Sequence, residues 1–193
     1  MTTVGVLLAA GQSRRFGAED KLLTEFNGRP LVTHAGRTLA KAGCDYALAV
    51  TSNPAVTHAL PGLRAVEISP GQPQSTSLRA GVEAAIDLGA GRLLVVLGDM
   101  PLVTTQTLND VLARAAEHGL SATTDGSRRM PPISFERTRF PELLRLSGDR
   151  GARHILHQIP QHACVLVSKE ELRDIDTPED VKAMRRDTGQ AEK

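Results

Sequence analysis

Residues 3–23 read TVGVLLAAGQSRRFGAEDKLL, and this stretch decides the fold. Its first part, Thr3–Ala9, is an almost unbroken apolar run, which is typical of a strand buried on both faces of a parallel sheet. The remainder holds two glycines, two arginines and a lysine, which is more glycine and more positive charge than an ordinary turn needs. The pattern predicts a buried strand followed by a loop whose backbone and cations bind a ligand.

Apolar runs and helical patterns alternate along the rest of the chain. Further strands are predicted at Tyr46–Thr51, Ala65–Ile68, Leu93–Leu97 and Cys164–Val167. Between them, apolar residues recur on one face of three predicted helices, at Leu31, Ala35, Leu39 and Ala42, at Leu78, Val82, Ala85 and Ile86, and at Leu108, Val111, Leu112 and Ala115. We expect Pro30 at the first helical position and the third helix to end near Gly119. This β-α-β order predicts an α/β fold of three layers with a doubly wound, mostly parallel sheet.

The last third of the chain is less regular. SATTDGSRRMPPISF, residues 121–135, predicts two extended segments joined at Asp125-Gly126, and Pro131 and Pro132 indicate an edge or loop position. Short helices are expected around 141–146 and 149–159, followed after the last strand by a helix capped by Thr177. We predict one domain over residues 1–186 and a disordered tail over 187–193.

Composition excludes several classes of protein. The chain has 193 residues, 3 % aromatic side chains, no Trp and a net charge of +1, so a nucleic-acid-binding role is not expected. No apolar run reaches the roughly 18 residues of a membrane span, and the N-terminus does not resemble a signal peptide. Cys44 and Cys164 are far apart in sequence and are expected to be reduced, buried thiols, so we predict a cytoplasmic protein.

The loop after the first strand has the chemistry of a polyphosphate site. Gly11 and Gly17 allow close approach and positive φ, consecutive amides form an anion site, and Arg14, Arg15 and Lys21 add positive charge. Five residues separate the two glycines and Leu22 follows the lysine, so it is not a Walker A loop, and G-x-G-x-x-G is absent. The alternative is a surface turn with solvated basic residues.

Asp99, in LLVVLGDMPLV (93–103), follows a buried strand and is expected at the same sheet edge as Gly11. A carboxylate there can bind Mg²⁺, which suits oxygen ligands and phosphates; the alternative is a turn before Pro101. Asp174 and Asp176 follow the last strand and can bring a second carboxylate, unless they serve a capping turn.

Two further segments have weaker assignments. In SPGQPQSTSLRAG (69–81), Ser77 and the backbone near Gly71 are candidates to recognise a base, and the alternative is a loop with a serine cap. His154, His157 and His162 lie close in sequence, but a zinc site needs more ligands, so we expect solvated or acceptor-facing histidines.

Taken together, these segments resemble the molybdenum cofactor cytidylyltransferase family of MobA-like NTP transferases. The family's loop L-A-A-G-x-S-x-R-[MF]-G-x(2,3)-K matches Leu8, Ala9, Ala10, Gly11, Ser13, Arg15, Phe16, Gly17 and Lys21. GDMPLV from Gly98, SLRAG from Ser77, PPISF from Pro131, GDRGAR from Gly148 and DIDTPED from Asp174 resemble its other motifs in order.

The resemblance implies a Rossmann-like nucleotidyltransferase fold and transfer of a nucleoside monophosphate to a terminal phosphate, with release of pyrophosphate. Arg15 and Lys21 would hold the triphosphate, Lys21 would stabilise the charge that develops on the α-phosphate, and Asp99 would bind Mg²⁺. Asp176 is the candidate second metal ligand because of its place after the last strand, not because of the resemblance. Ala9-Ala10, in place of the Gly-Gly of guanylyl-transferring relatives, favours CTP as the donor.

By the same resemblance the acceptor would be molybdopterin, held through the segments that contain Pro132, Arg150 and Arg153. A transient contact with a molybdoenzyme or its chaperone is implied. The alternatives are guanylyl or other nucleotidyl transfer to a different phosphorylated acceptor, and an oxidoreductase or cofactor-insertion relative on the same fold.

Overall fold

The computed structural model describes residues 1–11, 16, 20–148 and 153–187. Its larger sheet has seven strands in the order β5-β4-β1-β6-β8-β7-β9. The strands are β1 (Thr3–Ala9), β4 (Tyr46–Thr51), β5 (Arg64–Glu67), β6 (Arg92–Leu97), β7 (Leu120–Thr124), β8 (Arg129–Glu136) and β9 (Cys164–Leu166). The strands β1, β4, β5 and β6 are mutually parallel, whereas β8 runs antiparallel to both of its neighbours. The predicted mostly parallel, doubly wound sheet is therefore confirmed.

Helices cover both faces of this sheet. They are α1 (Leu31–Ala40), α2 (Pro54–His58), α3 (Gln74–Asp87), α4 (Thr105–His118), α5 (Phe140–Leu144), α6 (Arg153–Gln158) and α7 (Pro178–Asp187). Side chains of β1 alternate between the faces: Val4 and Val6 pack with α3, α5 and α6, and Leu7 and Ala9 pack with α1, α2 and α4. The three predicted layers follow from this alternation, because each face of a buried strand needs apolar cover.

The strand bounds follow the apolar runs closely, and the helix ends follow local chemistry. Gly119 ends α4 with φ of 80°, as a residue without Cβ does at a left-handed cap. Thr177 and Asp180 cap α7 reciprocally through backbone and side-chain hydrogen bonds. Pro30 is the N-cap of α1 rather than its first helical residue.

The assignment of Pro131 and Pro132 to an edge or loop is wrong, because both lie in the interior strand β8. The prolines fit there because the pairing with β7 shifts register between Ala122 and Thr123, and the resulting bulge needs no ladder hydrogen bond from them. Pairing of β8 with β6 also stops at Ile133, so the two strands separate on the side of the prolines.

A small two-stranded hairpin, β2 (Glu25–Phe26) and β3 (Arg29–Pro30), lies outside the main sheet. Asn27 and Gly28 both have positive φ, which a type I′ turn requires. Phe26 and Leu31 pack with Ile175, Val181 and Met184, so the hairpin and α7 form a separate apolar cluster.

Several predictions concern the chain as a whole. Within the described ranges no helix is both long and apolar enough to cross a membrane. Both cysteines are free; Cys164 is buried, and Cys44 is half-buried with its pKa raised to about 12 by burial and by the charge of Asp45. The domain limits stay a prediction, and residues 188–193 of the expected tail lie outside the described residues.

Candidate active site

The carboxyl ends of β1 and β6 lie side by side and bring Asp99 next to the start of the predicted phosphate loop. The two strands pair in parallel up to Leu8 and Leu97, and the amide of Gly98 then donates a hydrogen bond of 3.0 Å to the Leu8 carbonyl. A Cβ on Gly98 would lie 3.3 Å from that carbonyl oxygen and 3.2 Å from a methyl of Val32. The glycine therefore allows the loop that carries Asp99 to pass close to β1.

Lys21 reaches this edge from the far end of the loop. Its ammonium Nζ donates hydrogen bonds to Asp99 Oδ2 at 2.7 Å, to Asp176 Oδ1 at 3.0 Å and to the carbonyl of Ile175 at 3.0 Å. The residue is only 8 % exposed. Burial alone would lower the pKa of Lys21, but the charges and hydrogen bonds of Asp99 and Asp176 outweigh it and raise the pKa. Lys21 is therefore a buried cation held by two carboxylates.

The backbone around Lys21 is fixed by a second pair of polar side chains. Asp20 caps the single 3₁₀ turn Lys21–Leu23, because its Oδ1 accepts from the amide of Leu22 at 3.0 Å. Its other oxygen accepts from Nδ2 of Asn53 at 2.9 Å, and Asn53 in turn caps α2. The loop end is thereby tied to the segment after β4.

The segment 174–176 brings two more carboxylates to the site. Ile175 is fully buried and its amide donates to the carbonyl of Asp99 at 3.0 Å, while Asp174 and Asp176 on either side line the cavity. Partial burial raises the pKa of Asp174, and the nearby charges of Asp99 and Asp176 raise it further. The helix cap in DIDTPED is formed by Asp180, which accepts from the amides of Thr177 at 2.7 Å and Asp176 at 3.0 Å, so the side chains of Asp174 and Asp176 face the cavity instead.

Asp99 and Asp176 fit a magnesium ion that shares its coordination with substrate. Asp99 Oδ1 is buried and has no hydrogen-bond partner within the described part of the chain, so one carboxylate oxygen is left for a cation. The described residues hold no cluster of three or more His, Cys, Asp or Glu side chains arranged for a metal. Mg²⁺ usually takes one or two carboxylates and completes its shell with water and phosphate oxygens, which agrees with this donor set.

A cavity of about 580 Å³ opens beside the carboxylates. Leu8, Leu97 and Asp99 form its edge at the sheet, Gln74 and Leu78 of α3 form one wall, and the hairpin 127–131 forms another. The bulge in β8 creates this space, because β6 and β8 are unpaired beyond Ile133. The hydroxyl of Thr123 holds the bulge by donating to the carbonyls of Met130 at 2.7 Å and Pro131 at 3.0 Å.

The predicted loop residues have different outcomes. Leu8 lines the cavity, whereas Ala9 and Ala10 are buried and are not among its lining residues. Gly11 is exposed with open space at its Cβ position, and its φ is not positive, contrary to the expectation. The remaining predictions, for Ser13, Arg14, Arg15 and Gly17, lie outside the described residues.

The predicted base and acceptor residues are less directly placed. Gly71 lies in an exposed turn with φ of 80°, and Ser77 is buried within α3, where Gln74 and Leu78 face the cavity instead. Pro132 is buried, and its neighbour Pro131 lines the cavity. Arg150 lies outside the described residues, and of Arg153 only the backbone, at the start of α6, is described.

Several cavity residues were not anticipated from sequence. Arg128 and Arg129 follow the Asp125-Gly126 turn and line the cavity wall formed by the hairpin, and Gln74 at the start of α3 lines the other wall. Asp125 Oδ1 accepts from both the amide and the hydroxyl of Ser127, which shapes the turn. The adjacent arginines directly after the predicted turn are the feature of the sequence from which a basic cavity wall could have been predicted. His157 also lines the cavity, as an acceptor-facing histidine would, whereas His162 packs edge-on against His118.

Solved structures define the fold. Rv0371c from Mycobacterium tuberculosis H37Rv superposes with a TM-score of 0.83 and 26 % identity over 96 % of this chain and 99 % of that one. The same protein in complex with manganese gives 0.79 over 95 % and 98 %. A nucleotidyl transferase from Methanothermobacter gives 0.79 at 24 % identity over 96 % and 97 %. The fold is that of the Rossmann-like nucleotidyltransferases.

Sequence comparison defines the family. The MobA-like NTP transferase domain matches residues 5–164. The purine catabolism protein PucB of Bacillus subtilis is 33 % identical over 95 % of this chain and 96 % of its own length. Nicotine blue oxidoreductase of Paenarthrobacter nicotinovorans is 30 % identical over 92 % and 90 %, and the molybdenum cofactor guanylyltransferase of Rhodobacter capsulatus is 32 % identical over 64 % and 63 %. The chain belongs to the MobA-like NTP transferase family.

Proposed function

We propose that this nucleotidyltransferase transfers a nucleoside monophosphate from a nucleoside triphosphate to a phosphorylated small molecule and releases pyrophosphate. The observation that carries the proposal is the 2.7 Å contact between Lys21 and Asp99, which are 78 residues apart in sequence, at the mouth of the cavity. A buried cation beside two carboxylates, where Asp99 Oδ1 has no hydrogen-bond partner among the described residues, is a combination that suits phosphoryl transfer.

In the proposed mechanism, an oxygen of the acceptor phosphate attacks the α-phosphorus, and the bond from that phosphorus to the bridging oxygen of pyrophosphate breaks. Lys21 stabilises the negative charge that develops on the α-phosphate oxygens. Asp99 and Asp176 would hold Mg²⁺, which would supply neutralisation of the phosphate charge. The loop from Gly11, with Arg15, binds the β- and γ-phosphates, as the family resemblance implies.

We further propose CTP as the donor, which rests on Ala9-Ala10 in the loop motif. A CMP donor and a molybdopterin acceptor are the narrower form of the proposal, in which the basic residues Arg128, Arg150 and Arg153 assist the acceptor phosphate. A cytoplasmic location and a transient contact with a molybdoenzyme or its chaperone belong to the same proposal. A relative named as a molybdenum cofactor guanylyltransferase makes GTP the competing donor.

The test is a pyrophosphate-release assay with each of the four ribonucleoside triphosphates, with and without molybdopterin, in the presence and absence of Mg²⁺. We expect release that needs both acceptor and metal and is fastest with CTP. Release fastest with GTP would leave nucleotidyl transfer intact and overturn the cytidylyl form. No release with any nucleotide would overturn the proposed function.

A second candidate, reduction of an aromatic substrate, is favoured by a relative named nicotine blue oxidoreductase that matches 92 % of this chain. Its test is oxidation of NADPH, followed by absorbance, with a dye-like aromatic acceptor. The transferase proposal expects no oxidation above the rate without protein, and Asp99→Asn distinguishes the two because hydride transfer needs no metal carboxylate.

A further inference from the structure

The ammonium of Lys21 bridges the two carboxylates, Asp99 and Asp176, that the proposed function assigns to a metal ion, although Asp99 Oδ1 has no hydrogen-bond partner among the described residues. Nζ is 2.7 Å from Asp99 Oδ2 and 3.0 Å from Asp176 Oδ1, so one cation already bridges the two carboxylates. Two cations cannot share these oxygens at contact distance in a partly buried site without strong repulsion. Binding of a metal ion to both carboxylates is therefore opposed for as long as Lys21 stays between them.

We infer that Lys21 is an internal counter-ion that excludes free divalent metal, so that the ligand admitted to the site is a metal–nucleotide complex. This inference rests on the proposed function. A triphosphate supplies anionic oxygens that can accept hydrogen bonds from the Lys21 ammonium, which leaves Asp99 and Asp176 to bind the metal. Every charge keeps an opposite partner through this exchange, whereas free metal leaves the ammonium without its carboxylates.

The surroundings of Lys21 add to the barrier against free metal. The third hydrogen bond, to the Ile175 carbonyl, comes from a fully buried residue whose amide is itself bonded to the Asp99 carbonyl. The Lys21 ammonium therefore lies between Asp99 and the segment of Ile175 and Asp176, and this segment is itself hydrogen-bonded to the residue at the sheet edge. The remaining carboxylate at the site, Asp174, adds negative charge and strengthens the hold on any cation present.

The exchange makes metal and nucleotide binding mutually dependent. Because linkage is reciprocal, a nucleotide that withdraws Lys21 from the carboxylates increases metal affinity by the same factor as the metal increases nucleotide affinity, and such couplings are commonly about 5–150-fold. Removing the ammonium should therefore have opposite effects on the two ligands. Free metal should bind more tightly, and nucleotide more weakly.

The experiment measures Mn²⁺ binding by electron paramagnetic resonance on the full chain, first with Mn²⁺ alone and then with CTP present. We expect Lys21→Met to bind Mn²⁺ alone about tenfold more tightly than the wild type and CTP about tenfold more weakly. Lys41→Met is the matched control, because it removes an exposed lysine just after α1, at the opposite edge of the sheet, and should change neither affinity. Adding Asp99→Asn to Lys21→Met should abolish the gain.

Equal affinities of the wild type and Lys21→Met for Mn²⁺ alone would overturn the inference whether or not the protein uses nucleotides. A gain in Mn²⁺ affinity without any CTP binding would support metal exclusion and count against the proposed function. Lys21→Gln is made in parallel in case one variant does not fold. On the wild type, the ¹⁵N signal of the Lys21 ammonium should shift with Mg²⁺ and CTP together but not with Mg²⁺ alone, and a full shift with Mg²⁺ alone would also overturn the inference.

Discussion

Replacing Asp99 with asparagine separates what this carboxylate does for stability from what it does for catalysis. The side chain is 20 % exposed and that of its partner Lys21 is 10 % exposed, so the pair is shielded from solvent. A hydrogen bond to a charged group contributes about 1.5–3 kcal/mol. Lys21 keeps Asp176 and the Ile175 carbonyl, so we expect a loss of about 2 kcal/mol rather than the 3–5 kcal/mol or so of a fully stranded buried charge.

The chain contains a matched pair for comparison. Arg92 and Glu136 join β6 to β8 through contacts of 2.9 and 2.6 Å, with side chains 16 % and 21 % exposed, at the edge of the sheet away from the cavity. Glu136→Gln should therefore lose about the same stability as Asp99→Asn. For a chain of this size, about 2 kcal/mol lowers the Tm by roughly 4–8 °C, which thermal unfolding followed by circular dichroism resolves.

Activity should distinguish the two variants sharply. We expect Asp99→Asn to reduce kcat in the pyrophosphate-release assay by about a thousandfold, because it removes the proposed metal ligand, and Glu136→Gln to leave kcat within about twofold of the wild type. More than a tenth of the wild-type kcat in Asp99→Asn would refute the metal assignment. Equal losses of kcat in both variants would show that Asp99 acts only through stability.

Three further predictions concern other parts of the site. Asp174→Asn should raise the Tm slightly at pH 7 and reduce turnover. The gain in the free energy of unfolding should stay below about 1 kcal/mol, because the side chain of Asp174 is exposed and solvent screens its charge. The folded pKa of Asp174 is raised, so its ionisation costs stability as the pH rises through that pKa, and the gain should vanish below the unfolded pKa of about 3.9. Thr123→Val leaves two carbonyls of the bulge without their donor and should lower stability by about 1–2 kcal/mol and raise the KM for the acceptor. Ala10→Gly should lower the ratio of kcat/KM for CTP over GTP by about tenfold.

Each of these has a control and a contrary outcome. A Tm gain in Asp174→Asn that persists at pH 2.5 would contradict the electrostatic cause. Ser121→Ala removes another buried hydroxyl of β7, one without a hydrogen-bond partner among the described residues, and should not lower the Tm. If it does so as much as Thr123→Val, the bulge hydrogen bonds are not the cause. An unchanged CTP to GTP ratio in Ala10→Gly would remove the argument for CTP from the loop.

The fold could be predicted from the sequence wherever burial alone decides structure. β1 and β4 begin and end at the predicted residues because strands buried on both faces must be apolar throughout. The end of α4 at Gly119 could be predicted for a similar reason, since a left-handed cap favours glycine. The hairpin at Asn27-Gly28 was missed although this dipeptide strongly favours a type I′ turn, because its strands are only two residues long.

The site was predictable in its centre and less so at its walls. Lys21 and Asp99 meet because parallel strands end at a common edge, a rule of topology that needs no coordinates. The bulge that admits Pro131 and Pro132 depends on register between β7 and β8 and on the Thr123 hydroxyl. Such pairing is not encoded in local pattern, so the cavity wall formed by Arg128 and Arg129 could not be foreseen.

Residues 174–176 contact Lys21 although they lie near the other end of the sequence, and this separation has a consequence while the ribosome synthesises the chain. Lys21 and Asp176 are 155 residues apart, and ribosomes add about 5–20 residues per second, so the lysine emerges roughly 8–30 s before its second carboxylate. The nascent chain can form β1, β4 and β6 in that interval while the site still lacks two of its acidic groups, Asp174 and Asp176. In a growing polypeptide the ammonium of Lys21 therefore lacks its second counter-charge until translation has passed the last helix cap.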